Sequence, residues 1–490
     1  MSRSPLYTVL AAAVLFLILV PLGTSVFILG FIHGDSPCIL CWAQRIGMSL
    51  IALIGLFILR YGPRPKYVGL GVLVGAWGMF MAVRHSSLHL ARDIGQGFAI
   101  QILGAHTYVW SFAVFFVCVV VMALMLIEVP IDDMKPGPPR RLAAIDRFAT
   151  VTFLVVIAGT MVQAFASTGP PPFVGQSDPV RFSFRPSTWV WSLDEFSSAP
   201  ISLRGRWNVE LPDVTRVDGS PSTALGTLPE LAASDRTPLP FAIAGTPTGL
   251  AYDANRFLLT TEHGVYLVDD ALQAALRYTV VDPLFSVDLG RFADAAFLDG
   301  GRLLAITENK SYVVLKEAQG ADARKNYRYF LENPTAFDEI ARSRFATLRA
   351  KMMYVMAAAV DPATHAIYTV TVPNARTKRW VISRFDPKDM LLSEEFVPAV
   401  SPTLSTPKEG TNPLDDFYVT AATIANGRMF ALSAAHNTLL TIDLASHAVV
   451  AAHTVTGISQ PTGMALKGGR LFIVCRDGSI ASVVDPSIMD

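Results

Sequence analysis

The sequence predicts a chain in two parts. The first is an all-α membrane bundle of four helices plus a fifth transmembrane helix. The second is an all-β, extracytoplasmic β-propeller of six or seven blades. Three observations predict this. Five long apolar runs crowd the first third of the chain, a Cys-x-x-Cys pair opens the second run, and a strand–turn–strand unit recurs through the last two thirds. The chain has 490 residues, 51% of them apolar and 16% charged, with Lys and Arg balancing Asp and Glu. A zero net charge gives no reason to expect a nucleic-acid partner.

The apolar runs are Leu6–Ile32, Ala43–Leu59, Tyr67–Val83, Tyr108–Ile127 and Phe148–Ala166. Each approaches or exceeds the ~20 helical residues that cross a hydrocarbon core. The first follows a short basic start, Met1–Ser4, but it is too long for the apolar region of a signal peptide and is followed by further spans. It reads as a permanent helix. Arg60, Arg64 and Lys66 lie between the second and third runs, and Lys135, Arg140, Arg141 and Arg147 between the fourth and fifth. The positive-inside rule makes both loops, and Met1, cytoplasmic. Arg84 and Arg92 are a weaker counter-signal. Pro37–Cys41, the Arg84–Thr107 loop and everything after Ala166 then face the other side. Ser167-Thr168-Gly169-Pro170-Pro171-Pro172 reads as a short, semi-stiff spacer. The expected domains are 1–130 for the four-helix region, 131–147 for a cytoplasmic loop, 148–166 for the fifth helix, 167–180 for the linker and 181–490 for the propeller.

The chemistry concentrates in Asp35-Ser36-Pro37-Cys38-Ile39-Leu40-Cys41-Trp42-Ala43-Gln44-Arg45. Ser36 suits a helix N-cap and Pro37 the first helical position. Cys38, Cys41 and Arg45 are spaced three and four apart, so they share one helix face. A helix N-terminus stabilises a thiolate, and a Cys-x-x-Cys pair can close an exchangeable disulfide. Arg45 is a fixed cation just inside the membrane boundary, able to steady a thiolate at Cys41 or to donate to a carbonyl oxygen. Three blander readings compete. The pair is half a metal site completed by His89 and His106, Arg45 only reaches for outer headgroups, or the thiols are inert. His85 and His89, four apart on a helix extension, read as surface residues. Tyr108 and Trp110 fit an aromatic belt, and Phe98–Leu103 a segment lying in the membrane surface.

Residues 5–128 resemble the DsbB family of bacterial thiol:quinone oxidoreductases. The resemblance rests on Pro37-Cys38-Ile39-Leu40-Cys41 with Gln44-Arg45, on Tyr61-Gly62-Pro63-Arg64-Pro65, and on Gly104-Ala105-His106-Thr107-Tyr108-Val109-Trp110 entering the fourth run. It implies a four-helix bundle holding ubiquinone or menaquinone in a bacterial inner membrane. Cys38 would exchange with thiols of a periplasmic partner, and Cys41 would face the quinone. Arg45, Gln44 and His89 would line the quinone site, with Arg45 polarising the quinone and His89 helping with the proton. One departure stands out. Better-known members carry a second cysteine pair in the second outer loop, and 84–107 has none. The remaining cysteines are Cys118, about 15 Å down the fourth helix, and Cys475, and both read as buried structural residues. The relay is therefore either shortened, with Cys38 attacked directly by a partner, or completed by another protein. The alternative function is a membrane-anchored propeller that binds or scaffolds a partner, the bundle serving as anchor.

From about Phe182 the pattern turns to short β-rich runs. The unit recurs at Gly249–Leu259, Ala295–Ala305, Ala358–Tyr368, Ala422–Ala431 and Gly463–Ile473, each a strand, a tight turn and a second strand. Small antiparallel units repeating at 40- to 60-residue intervals indicate a β-propeller. Tyr327–Lys351 reads as a basic, helix-like insertion projecting from one face. The propeller shows no catalytic set, metal or quinoprotein signature, so partner binding is its default role, by analogy of fold.

Overall fold

The computed structural model describes residues 5–93, 101–132, 134–169, 172–176, 183–193, 195, 218–253, 255–282, 289–319, 330–333, 335–350, 353–374, 377–404 and 412–484. Two compact units divide the chain. The first is Met1–Pro170 with Val180–Phe182, and the second is Pro171–Pro179 with Ser183–Asp490.

The first unit is built from α1 (Pro5–Leu17, continuing to Ile32), α2 (Ile39–Tyr61), α3 (Pro65–Asp93), α4 (Thr107–Glu128) and α5 (Ala144–Thr168). All five helices are long and apolar enough to cross a membrane. Each of the last four extends past its apolar run, α4 by one residue at each end and α3 by ten at its C-terminal end. From Ile18 to Ile32 the first helix widens to π-helical winding around Pro21, and His33 N donates five residues back to Ile28 O. The helix α2 packs against α1, α3 and α5, while α4 lies on α3. Their shared core includes Val14, Ile18, Val26, Ile51, Phe115 and Phe153.

The two basic loops meet at one end of this unit. Arg140 N donates to Arg60 O, Arg60 returns a bond to Arg140 O, and Arg64 Nη2 reaches Gly137 O at 3.0 Å. The Arg140 guanidinium also lies over the Tyr7 ring. Cys38 and Cys41 lie at the other end of α2. Of the segment expected in the membrane surface, 98–100 falls outside the described residues. Gln101–Ile102 pairs with Ala105–His106 in a two-stranded hairpin.

The second unit is a β-propeller with five blades among the described residues, correcting the expected six or seven. The innermost strands are Pro247–Asp253, Phe292–Leu298, Val355–Val360, Val419–Ala425 and Pro461–Lys467. Each packs against the next and the last against the first, so the ring closes. These strands and their first hairpin partners are the five repeats visible in the sequence. Among the described residues no sixth inner hairpin is present. The final blade runs Pro461–Lys467, Arg470–Cys475, Ser479–Val484 and then Thr237–Pro238, so its outer strand comes from ahead of the first blade. Interlocking apolar residues such as Phe257, Leu304, Phe385, Phe430 and Leu471 fill the space between blades.

The expected helical insertion is β structure where it is described. Phe330–Glu332 pairs with the edge of the first blade, and Phe337–Arg344 is the outer strand of the second. Phe345, Leu348 and Ala350 are then buried. An open edge at Ser311–Glu317 needs a hydrogen-bonding partner, and this outweighs the local helix preference of the segment. Residues 320–329 and 351–352 fall outside the described residues.

Candidate redox site

The site begins at the N-terminus of α2. Cys38, rather than Ser36, caps this helix, with φ −67° and ψ 170°, and its Sγ accepts the Cys41 N–H at 3.2 Å. A sulfur in the capping position meets the positive end of the helix directly. The Cys41 Sγ lies 2.8 Å from the Cys38 Sγ, and both residues are free thiols. The Cys38 thiol is pulled down from an ordinary value near 9 to about 4. The main cause is the Cys41 thiol beside it, opposed by burial and helped by His85 and the Cys41 N–H.

His85 on α3 supplies the third group. Its Nε2 is 3.8 Å from Cys38 Sγ, and its Nδ1 is 3.2 Å from Gln44 Nε2. His85 is 5% exposed, so the surface reading of this histidine is overturned. One face of α3 turns it inward, between α2 and the Tyr108 ring at 4.7 Å. Tyr108 itself is buried rather than part of an exposed belt, and the His106 ring stacks on it at 5.2 Å. Trp110 is exposed. His89 lies one turn further along α3, and its side chain falls outside the described residues. The signal that could have found His85 was the four-residue spacing itself, which puts both histidines on one face and leaves the choice between them open.

The sulfurs of Cys38 and Cys41 and a nitrogen of His85 lie within 4.8 Å of one another, a grouping that could hold a metal ion. The 2.8 Å between the sulfurs argues for a different use. Two thiolates on tetrahedral zinc, each at about 2.3 Å, stand about 3.8 Å apart. Thiols this close are placed to form a bond with each other.

Below the cysteines, Gln44 and Arg45 are both buried. Arg45 Nη1 donates to Gln163 Oε1 on α5 at 2.6 Å, and Nη2 donates to Ser25 O on α1 at 2.6 Å. Its guanidinium lies 5.6 Å from the centre of the Trp42 ring. A side chain that only snorkelled outward would not be held inside by two helices. Gln163 escaped the sequence reading because nothing in an apolar run marks which polar residue faces a partner 118 positions away. Cys118 is half-buried in α4, short of the full burial expected, and Cys475 is fully buried in the last blade.

A pair of facing thiols, Cys38 exposed and Cys41 half-buried, with a buried histidine and a buried arginine beside it, set in a bundle of membrane-length helices and followed by a propeller, defines a class: a membrane dithiol protein with a β-propeller domain. Residues 7–96 match the family model described as "Disulfide bond formation protein DsbB". The chain thus carries a DsbB-family domain in its helical region, fused to a five-bladed propeller. Comparison with curated proteins returns no match. Among solved structures, the glutaminyl cyclase of Myxococcus xanthus is 14% identical, covering 53% of this chain and 100% of its own, with TM-score 0.35. The PQQ-bound aldose sugar dehydrogenase of Streptomyces coelicolor is also 14% identical, covering 53% and 99%, with TM-score 0.33.

Proposed function

We propose that this chain is a thiol:quinone oxidoreductase of a bacterial inner membrane, oxidising thiols of a periplasmic partner and so supporting disulfide formation. The observation that carries the proposal is the Cys38–Cys41 pair, capped on α2 and flanked by His85, with Arg45 buried one turn below. The DsbB-family match agrees with it.

The chemistry follows from the geometry. In the oxidised enzyme, a partner thiolate attacks Cys38 Sγ, the S–S bond breaks, and Cys41 leaves as a thiolate. A second partner thiol then attacks the mixed disulfide and expels Cys38. A sulfur with a low pKa leaves faster, which suits Cys38 to this release. The partner loses two electrons and two protons, and the enzyme is left with two thiols. His85 is close enough to exchange a proton with Cys38 through its Nε2. A bound ubiquinone or menaquinone would supply the two-electron acceptor. The residues present suit one. Arg45 is a buried cation with five N–H donors, only some of them engaged by Gln163 and Ser25, in an apolar bundle. Gln44 and Arg45 are the residues that would hold a quinone carbonyl, with His89 on the adjoining turn of α3.

The basic loops gathered at the far end of the bundle support a cytoplasmic N-terminus. With five spans, the cysteines and the propeller then share the periplasmic side. The propeller would there recruit the thiol partner.

The test is quinone reduction by the purified full-length protein, given a dithiol donor and a short-chain ubiquinone, for wild type and Cys41→Ser. Reduction by wild type that vanishes in Cys41→Ser is the expected result. Equal turnover in both would sink the proposal. No turnover with any donor or quinone would leave the propeller's partner binding as the function and the bundle as its anchor.

A further inference from the structure

The fifth helix lies beyond the part of the chain that matches the DsbB family, yet it reaches into the redox site. Its buried stripe runs Ala149, Phe153, Val156, Gln163 and Ser167, with Gln163 fully buried. Gln163 occupies a position where the helix would otherwise place an apolar side chain. A buried amide costs free energy unless it is bonded, so its partners are informative. Its Oε1 accepts from Arg45 at 2.6 Å, and its Nε2 donates to Asp35 O at 3.1 Å. The two bonds together fix which way the amide points. Asp35 lies three residues before Cys38, so one side chain joins the buried cation to the backbone that leads into the partner-facing cysteine.

The helix interface is shaped for this contact. A Cβ at Gly30 would lie 2.2 Å from Gln163 Nε2, and one at Gly159, a turn before Gln163, would lie 3.0 Å from the Phe27 ring. Small residues at both points let α5 approach α1 closely enough for the amide to reach Arg45. The partner is also neutral. A carboxylate here would pair with Arg45 and cancel its charge, while the amide orients the guanidinium and leaves the charge whole.

We infer that Gln163 is a positioning residue of the redox site: α5 holds the Arg45 guanidinium, with its charge intact, in the place where it stabilises the reduced Cys38–Cys41 pair. The inference rests on the proposed redox reading of that pair.

The test uses the full-length protein and two readouts. One is the dithiol–disulfide equilibrium of Cys38 and Cys41 in glutathione buffers, read by alkylation of the thiols. The other is kcat/KM for short-chain ubiquinone. Gln163→Met removes both bonds at similar volume, and Gln163→Glu keeps an acceptor but adds a charge. Both variants, and Arg45→Met, are expected to shift the equilibrium toward the disulfide by roughly threefold to tenfold, the scale of one charge at short range. The kcat/KM is expected to fall on the order of tenfold to a hundredfold, as for a misplaced reacting group. In an Arg45→Met background, Gln163→Met should add nothing. An unchanged equilibrium in both Gln163 variants, with Arg45→Met displaced, overturns the inference. So does a Gln163→Met shift of the same size with and without Arg45. A displaced equilibrium in both Gln163 variants, in a protein whose wild type reduces no quinone, overturns the proposed electron acceptor and upholds the role of Gln163.

Discussion

At the residue scale, the acidity of Cys38 sets a measurable signature. Its thiol is drawn down to about 4, chiefly by Cys41 and then by His85, against burial. The reduced protein should therefore alkylate at Cys38 with a thiolate fraction that stays near full from pH 8 down to about pH 5 and falls only toward 4. An ordinary thiol fades below about 8.5. Cys41→Ser should return the midpoint most of the way to the ordinary value, and His85→Ala part of the way. A Cys38 rate that drops tenfold per pH unit between 8 and 6 in wild type would contradict this. The sign for stability follows. A depressed thiol pKa favours the folded state above the ordinary value, and that contribution is lost as pH falls through 9 to 4. The cysteine spacing and Arg45 were legible because the motif is local and both sit on one face of one helix. The choice of His85 over His89, and the part played by Gln163, were not. Each depends on how a second helix is rotated against the first, which local sequence leaves undetermined.

At the element scale, α5 depends on the close approach at Gly30. Gly30→Val places methyl groups where Gln163 sits, so the amide must leave Arg45 or α5 must move. The variant is expected to reproduce the Gln163→Met shift in the thiol equilibrium, and to lower thermal stability by about 1–3 kcal/mol. Wild-type values on both would show that α1 and α5 have room that the packing denies. The helices themselves were easy to read, since each apolar run already approached or exceeded bilayer length. The strand at Phe337–Arg344 was not, because its conformation is dictated by the open edge at Ser311–Glu317 rather than by its own residues. The capping of α2 by Cys38 was also missed. Ser36 and Pro37, just before it, carry the stronger statistical signal, and a sulfur acceptor carries almost none.

Across the propeller as a whole, one carboxylate ties neighbouring blades together. Asp294, fully buried on the inner strand of the second blade, accepts Ala295 N–H at 2.8 Å and Ala358 N–H of the third blade at 2.8 Å. Burial raises its carboxyl well above the usual range, against the pull of the backbone N–H groups of Ala358, Ala295 and Leu250. The folded protein thus binds this proton more tightly than the unfolded chain, and its stability falls as pH rises from about 4 through the raised value. Asp294→Asn should remove that slope. It should also cost about 1–3 kcal/mol, since the amide nitrogen cannot accept an N–H. Thermal unfolding of the full chain at pH 5 and pH 8 checks both, and a slope unchanged by the substitution would refute the assignment. The five repeats were visible in the sequence and correspond to the five inner hairpins. The expectation of more blades came from the general class, not from the residues.

The closing strand has a consequence for how the protein is made. Thr237 meets Ile480 across the final blade, 243 residues later in the chain. Synthesis at about 5–20 residues per second therefore takes between roughly 12 and 50 s to deliver the second partner after the first. Throughout that interval the early strand has nowhere to dock, and the growing ring offers an open blade on each side. A chain that stops before Ser479 leaves an unclosed ring with a bare sheet edge, the form most exposed to aggregation and to proteases. Closure of the ring is thus concentrated in Ser479–Val484, whose arrival converts an incomplete arc into a sealed ring in a single step.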